Sequence, residues 1–334
     1  MRYTLFSLAA LCVTLNLSAS LATVEEVAKA KRYPVKYCAV TNTPAIRKAL
    51  IEELWAHDKA LETKLWPEGK VPFKISDAPI RFQEHELWQR NLVVTDINDP
   101  FFTFFPAKGK GLKPVVVILP GGGYMRLGWN KEGTEVAQWL NSIGFSAAVL
   151  LYRAPDQRDA ALCDTQRAIR LLRRDAHKYG IDKSRIGVIG FSAGANLAAR
   201  TATNWQKKFY SRVDDADDLS CRPDFQLLIY PWDLQYRKDP TTTRKRWKGL
   251  KLRPEYAVDA QTPPAFIAQS LDDFCKIETA IGYDHALRRV GVKSIAWIYE
   301  NGGHGYGART VGRQTDAWPK DAQRWLEFIK KGSN

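Results

Sequence analysis

From residue 114 onward the chain alternates short, wholly apolar runs with longer segments whose apolar positions recur every three or four residues. Residues 115–119 form a continuous apolar run, as expected of a strand covered on both faces. Residues 132–143 have helical spacing, and Gly144 follows as a stop. Residues 145–152, 185–191, 225–230, 265–269 and 294–299 read as further strands. Residues 158–179 (closed by Gly180), 193–205, 276–290 and 316–330 read as helices. This alternation predicts an α/β fold with a mostly parallel central sheet and helices on both faces. Upstream, residues 91–106 predict two short strands with a turn at Asn98-Asp99-Pro100. Ile46, Leu50, Leu54, Leu61 and Leu65 predict one helix over 45–66, starting near Thr43-Pro44. Residues 23–44 read as an irregular lead-in.

The N-terminus has a different character. Arg2 precedes an apolar stretch, residues 3–17, which Thr4, Ser7, Thr14 and Asn16 make too short and too polar to span a bilayer. Small residues follow, ending at Ala22. A positive start, an apolar centre and a small-residue cleavage site predict a signal peptide over 1–22 and a secreted or periplasmic protein. Cys12 leaves with that leader. Cys38, Cys163, Cys221 and Cys275 remain in a disulfide-permissive setting with three complete pairings open. A Cys221–Cys275 bridge is disfavoured, because the two fall at opposite ends of the predicted strands and a disulfide reaches only about 7 Å between Cα atoms. There is no C-x-x-C and no His pair at ligand spacing, so no metal and no cofactor is expected.

The composition of the 334 residues, 45% hydrophobic and 26% charged, excludes a disordered or low-complexity chain. Fifty basic against 36 acidic residues give a net charge of +14, which favours polyanionic partners. Much of the excess lies in residues 236–253, with eight basic residues against Asp239. This segment follows a strand, so it is expected to border the ligand site. There Arg244 and Arg246 would hold an acidic, esterified polysaccharide while Trp247 stacks on a sugar. The plainer alternative is a solvated basic loop. Nucleic acid is disfavoured as a partner by export and by the lack of a recognisable module.

Ligands of such sheets bind at the carboxyl ends of the strands. Gly190-Phe191-Ser192-Ala193-Gly194 directly follows one strand and opens a helix. A serine on that sharp turn is held exposed and strained, as a nucleophile requires. Pro120-Gly121-Gly122-Gly123-Tyr124 follows the first buried strand. Gly122 or Gly123, with Ala193, would supply N–H donors to a developing oxyanion. Tyr124, beside them, is expected to meet substrate. Of the five histidines, His304 follows a strand, is flanked by glycines and comes last in the chain, which suits a general base. The orienting acid belongs between Ser192 and His304. Asp272 and Asp273 both qualify; Asp273 is preferred, with Asp272 as a turn or capping residue.

These residues together resemble the α/β-hydrolase superfamily, and more closely the bacterial acetylxylan esterase and feruloyl-esterase-like group, sometimes labelled xylanase-B-like. The resemblance covers roughly residues 91–330. It rests on LPGGGY (119–124), NKEGTEVAQWLNSIGF (130–145), LLYRAP (150–155), RIGVIGFSAGANLAA (185–199), LDD (271–273) and GGHGYG (302–307). It implies an α/β-hydrolase catalytic domain over 91–334, preceded by an N-terminal extension (23–90) with one helix. It also implies a Ser192–Asp273–His304 triad and a serine esterase that removes O-acetyl groups from a plant or algal polysaccharide or oligosaccharide. Two departures stand out: Pro120 where lipase-like relatives have His, and Ala195 where many have Gly. A serine peptidase of the same fold is the first rival, though about 90 residues before the first strand cannot supply the propeller such enzymes carry. A non-catalytic polyanion-binding protein on this scaffold is the second.

Overall fold

In the computed structural model, residues 44–83, 90–235 and 250–330 are described. The predicted signal peptide, Cys12, Cys38 and His85 lie outside them. So does most of the basic segment, including Arg244, Arg246 and Trp247.

The apolar runs become strands of one eight-stranded sheet. In chain order these are β1 (Glu62–Lys64), β4 (Phe101–Phe105), β5 (Lys113–Leu119), β7 (Ser146–Leu151), β8 (Ile181–Phe191), β9 (Phe225–Ile229), β10 (Ala265–Ser270) and β11 (Ser294–Tyr299). The spatial order is β1-β4-β7-β5-β8-β9-β10-β11. From β7 to β11 every neighbouring pair is parallel; β4 and β1 add an antiparallel edge. Every residue of β7, β9 and β10 is buried. Because successive side chains point to opposite faces, such burial requires cover on both sides. Each buried Val, Leu or Ile contributes about 1.5–3 kcal/mol, so Val115–Leu119, all fully buried, anchor the centre.

The helices fall close to their expected positions. They are α1 (Pro44–Trp55), α2 (Glu135–Ser142), α3 (Arg158–Arg174), α4 (Ala193–Thr203), α5 (Glu278–Arg289) and α6 (Trp318–Lys330). The segment read as one helix over 158–179 breaks at Asp175, and Gly180, in the left-handed region, ends its last turn. The helix expected over 45–66 is a correction. It stops at Trp55, and Glu62–Lys64 pairs instead with β4 as an edge strand. The break comes where His57 turns inward, bonded to the Trp55 carbonyl and to Glu62, each at 2.7 Å. Apolar spacing carried across that break because Leu65 and Trp66 bury against the same core.

The two strands expected in 91–106 form but belong to different sheets. β3 (Val93–Thr95) joins a second, antiparallel sheet between β2 (Arg81–Gln83) and β6 (Leu127–Gly128). This small sheet anchors the loop that leaves β5. The cysteines Cys163, Cys221 and Cys275 are buried, and no disulfide links them to one another. No described helix is long and apolar enough to cross a membrane.

One buried ion pair locks β7 to α3 and to the segment after β1. Arg153 and Asp164 are both fully buried, with Nη2 and Oδ1 2.7 Å apart. Trp66 Nε1 donates to the same carboxylate at 2.8 Å. Removing one partner strands the other charge in the interior. Asp164→Ala should therefore cost about 3–5 kcal/mol of stability, read as a lower urea midpoint; a loss under about 1 kcal/mol would mean that Arg153 reaches water.

Candidate active site

Ser192 links β8 to α4 with φ +52° and ψ −115°, a conformation that costs a non-glycine residue about 1–3 kcal/mol. The surroundings hold it there. Its N–H donates to the Ile229 carbonyl at 3.0 Å, and its carbonyl accepts from Asn196 N–H at 3.1 Å and Trp232 N–H at 3.3 Å. The turn is tight enough to demand glycine at two places. A Cβ on Gly190 would lie 2.1 Å from the Gly194 carbonyl oxygen, and one on Gly194 would lie 1.9 Å from that of Leu119.

His304 reaches Ser192 from the loop after β11. Its Nε2 is 2.8 Å from Ser192 Oγ, and its Nδ1 is 2.8 and 2.9 Å from the two oxygens of Asp273. A carboxylate only accepts, so the proton sits on Nδ1 and Nε2 is left to accept from the serine hydroxyl. Asp273 is buried and also accepts from Cys275 N–H at 2.7 Å and Gln269 Nε2 at 3.0 Å. Asp272 faces the other way. It accepts from the N–H groups of Gly303 (2.7 Å) and Gly302 (3.2 Å), and these bonds hold its carboxyl below the usual range. It therefore braces the loop that carries His304. Phe274 packs on the imidazole with ring centroids 4.3 Å apart. Of the other described histidines, His57 is bonded internally, while His177 and His285 are exposed.

The glycine loop after β5 lies opposite. Gly121 N–H is bonded to Glu132 Oε2 at 2.7 Å, and the Gly122 carbonyl accepts from Met125 and Arg126 N–H. No intramolecular acceptor takes the N–H of Gly122, Gly123 or Ala193 among the described residues. These groups are thus available to an oxyanion. Tyr124, expected at the substrate, is instead fully buried. Its positive φ of 61° turns the ring under the loop, and its hydroxyl donates to Asn196 Oδ1 at 2.9 Å.

Ser192, His304, Gly121–Gly123, Glu132, Trp232 and Phe274 border one cleft of about 550 Å³. Glu132, Trp232 and Phe274 were not singled out from sequence. Glu132 sits in the π-helical turn Asn130–Thr134 before α2, a local form that recurs at functional sites; an acid just after a glycine loop was the available signal. Among the described residues, one set of His, Cys and carboxylate donors is close enough to share an ion: Asp273, Cys275 and His304, within 4.8 Å. Two of these three are already committed to each other as carboxylate and imidazole.

A family model described as BD-FAE matches residues 103–228. The acetylxylan esterase of Xylanibacter ruminicola is 29% identical over 244 residues, 68% of this chain and 47% of that protein. Endo-1,4-beta-xylanase B of Butyrivibrio fibrisolvens is 28% identical over 204 residues, 57% of this chain and 32% of that protein. The matched part of the chain thus spans half or less of the length of these two relatives. Among solved structures, the acetyl ester-xyloside bifunctional hydrolase from Caldicellulosiruptor lactoaceticus superposes with a TM-score of 0.67 at 30% identity, covering 80% of this chain and 96% of that one. Esterase 2 of Thermogutta terrifontis shares the fold, with a TM-score of 0.59 at 21% identity over 70% of this chain and 91% of that one.

Proposed function

This chain belongs to the acetylxylan esterase-like group of the α/β hydrolases, and from that premise we propose that it hydrolyses carboxylic esters through an acyl-enzyme on Ser192. The observation that carries this reading is the unbroken Ser192–His304–Asp273 chain opening on a cleft lined by the glycine loop. Ser192 Oγ attacks the ester carbonyl as its proton passes to His304 Nε2, and Asp273 stabilises the imidazolium. The N–H groups of Ala193 and of Gly122 or Gly123 receive the oxyanion. The tetrahedral intermediate collapses, and the departing alcohol takes the proton from His304. Water, deprotonated by the same imidazole, then releases the acid and restores the serine.

The substrate we infer is an O-acetylated plant or algal carbohydrate, a reading supported by relatives named acetylxylan esterase and acetyl ester-xyloside hydrolase. Export through residues 1–22 fits a polymeric substrate found outside the cell. The purified protein should release acetate from acetylated xylan and cleave 4-nitrophenyl acetate faster than the butyrate and longer esters. Equal or higher rates on long acyl chains, with no acetate released from the polymer, would reject the carbohydrate acetylesterase and leave a general esterase.

A further inference from the structure

Glu132 takes no step in the acyl transfer described above, yet it lies at the centre of the site and is 6% exposed. Both of its oxygens are in use. Oε2 accepts Gly121 N–H at 2.7 Å, and Oε1 accepts the Tyr230 hydroxyl at 2.7 Å. Tyr230 Oη in turn accepts Gly307 N–H at 3.0 Å. The direction of this relay is fixed by its ends. Gly307 N–H can only donate, so the Tyr230 proton points to Glu132; Gly121 N–H also only donates. The centre must therefore be a group that accepts at both of its terminal atoms, which a carboxylate does and an amide, with one oxygen and one donor NH2, does not. Burial, with Glu132 beside it, pushes the Tyr230 phenol well above its ordinary range, which keeps that proton in place.

The two ends belong to different walls of the cleft. Gly121 precedes the candidate oxyanion donors Gly122 and Gly123. Gly307 lies three residues beyond His304 on the loop after β11. Their parent strands, β5 and β11, are separated in the sheet by β8, β9 and β10, so no sheet hydrogen bond fixes one loop against the other. Tyr230 also packs on His304 with ring centroids 4.9 Å apart. We propose that Glu132 is a positioning residue that, through Tyr230, sets the oxyanion loop and the His304 loop at their working separation. This inference rests on Ser192 being the nucleophile.

The test compares full-length E132A, E132Q, Y230F and E132Q/Y230F with wild type and S192A, on 4-nitrophenyl acetate and with phenylboronic acid as a tetrahedral-adduct inhibitor. E132A should lower kcat roughly 10²-fold with KM changed less than about threefold, and boronate affinity should fall in step with kcat/KM. E132Q keeps an acceptor for Gly121 and should recover part of the loss, remaining about tenfold below wild type. Y230F should match it, and the double variant should be no worse than either single one, because both break the same link. Folded variants with near-wild-type kcat and boronate affinity would overturn the inference, even if their Tm fell. If E132A does not fold, the milder pair decides: additive losses or none would equally overturn it. Inactive wild type, or activity surviving in S192A, would overturn the reading of Ser192 and this inference with it.

Discussion

Ser192→Ala should reduce kcat by a factor on the order of 10⁵–10⁶ while leaving the thermal transition within a degree or two of wild type or slightly above it. The loss follows from geometry. Ser192 Oγ is the atom 2.8 Å from His304 Nε2, and alanine leaves the imidazole without a nucleophile to activate. Stability should hold or rise because Ser192 carries its strain in the backbone, and its main-chain bonds to Ile229, Asn196 and Trp232 survive the change. The residual rate would come from the glycine-loop donors and from binding alone. A burst of chromophore from 4-nitrophenyl acetate should vanish together with turnover. A variant that keeps even a tenth of the wild-type kcat would move the nucleophile elsewhere.

Asp273→Asn should lower kcat by about 10⁴-fold. The substitution sets an amide where His304 Nδ1 now finds an acceptor 2.8 Å away. The neutral ring then favours the tautomer with its proton on Nε2, where it can no longer accept from Ser192. Asp272→Asn, one residue earlier, should cost far less, because one amide oxygen can still accept from Gly302 or Gly303. The two variants measured side by side decide between adjacent carboxylates. A larger loss at Asp272 than at Asp273 would exchange their roles.

That choice shows what the sequence discloses and where it stops. Strands from residue 114 onward were readable because a parallel strand buried on both faces has an unbroken apolar run. Ser192 and His304 were readable because each sits at a strand end in a glycine setting with its own local signature. Asp273 emerged from chain order and loop position, and the structure adds that its neighbour is turned toward the Gly302–Gly303 backbone. Glu132 and Tyr230 were not readable, since their relation exists only after residues 98 positions apart meet. Tyr124 was misplaced because adjacency to the glycine loop suggested the cleft, and a single positive φ sends the ring the other way. The helix over 45–66 failed for a related reason. Leu61 and Leu65 keep a helical spacing with Leu54, yet the residues between them, Glu62–Lys64, run as an edge strand paired with β4 after a short turn at Lys59–Leu61. The small sheet is also invisible locally, because it pairs Val93–Thr95 with residues on both sides in the chain.

The strand at Glu62–Lys64 bears on how such a chain can be recombined over evolutionary time. The family match begins at residue 103, and the motifs of the site begin later still. Even so, β1 covers the outer backbone of β4, and Trp66 completes the buried pair of Arg153 and Asp164. A crossover near residue 91 would join a new leader to the whole chemical apparatus yet cut these ties, leaving β4 as a bare edge prone to pairing with other chains. A crossover before Pro44 would keep both of these ties, since β1 and Trp66 would travel with β4 and the Arg153–Asp164 pair. Heritable shuffling of this chain should therefore favour the earlier junction, so that residues 44–66 travel with the parts they never touch chemically.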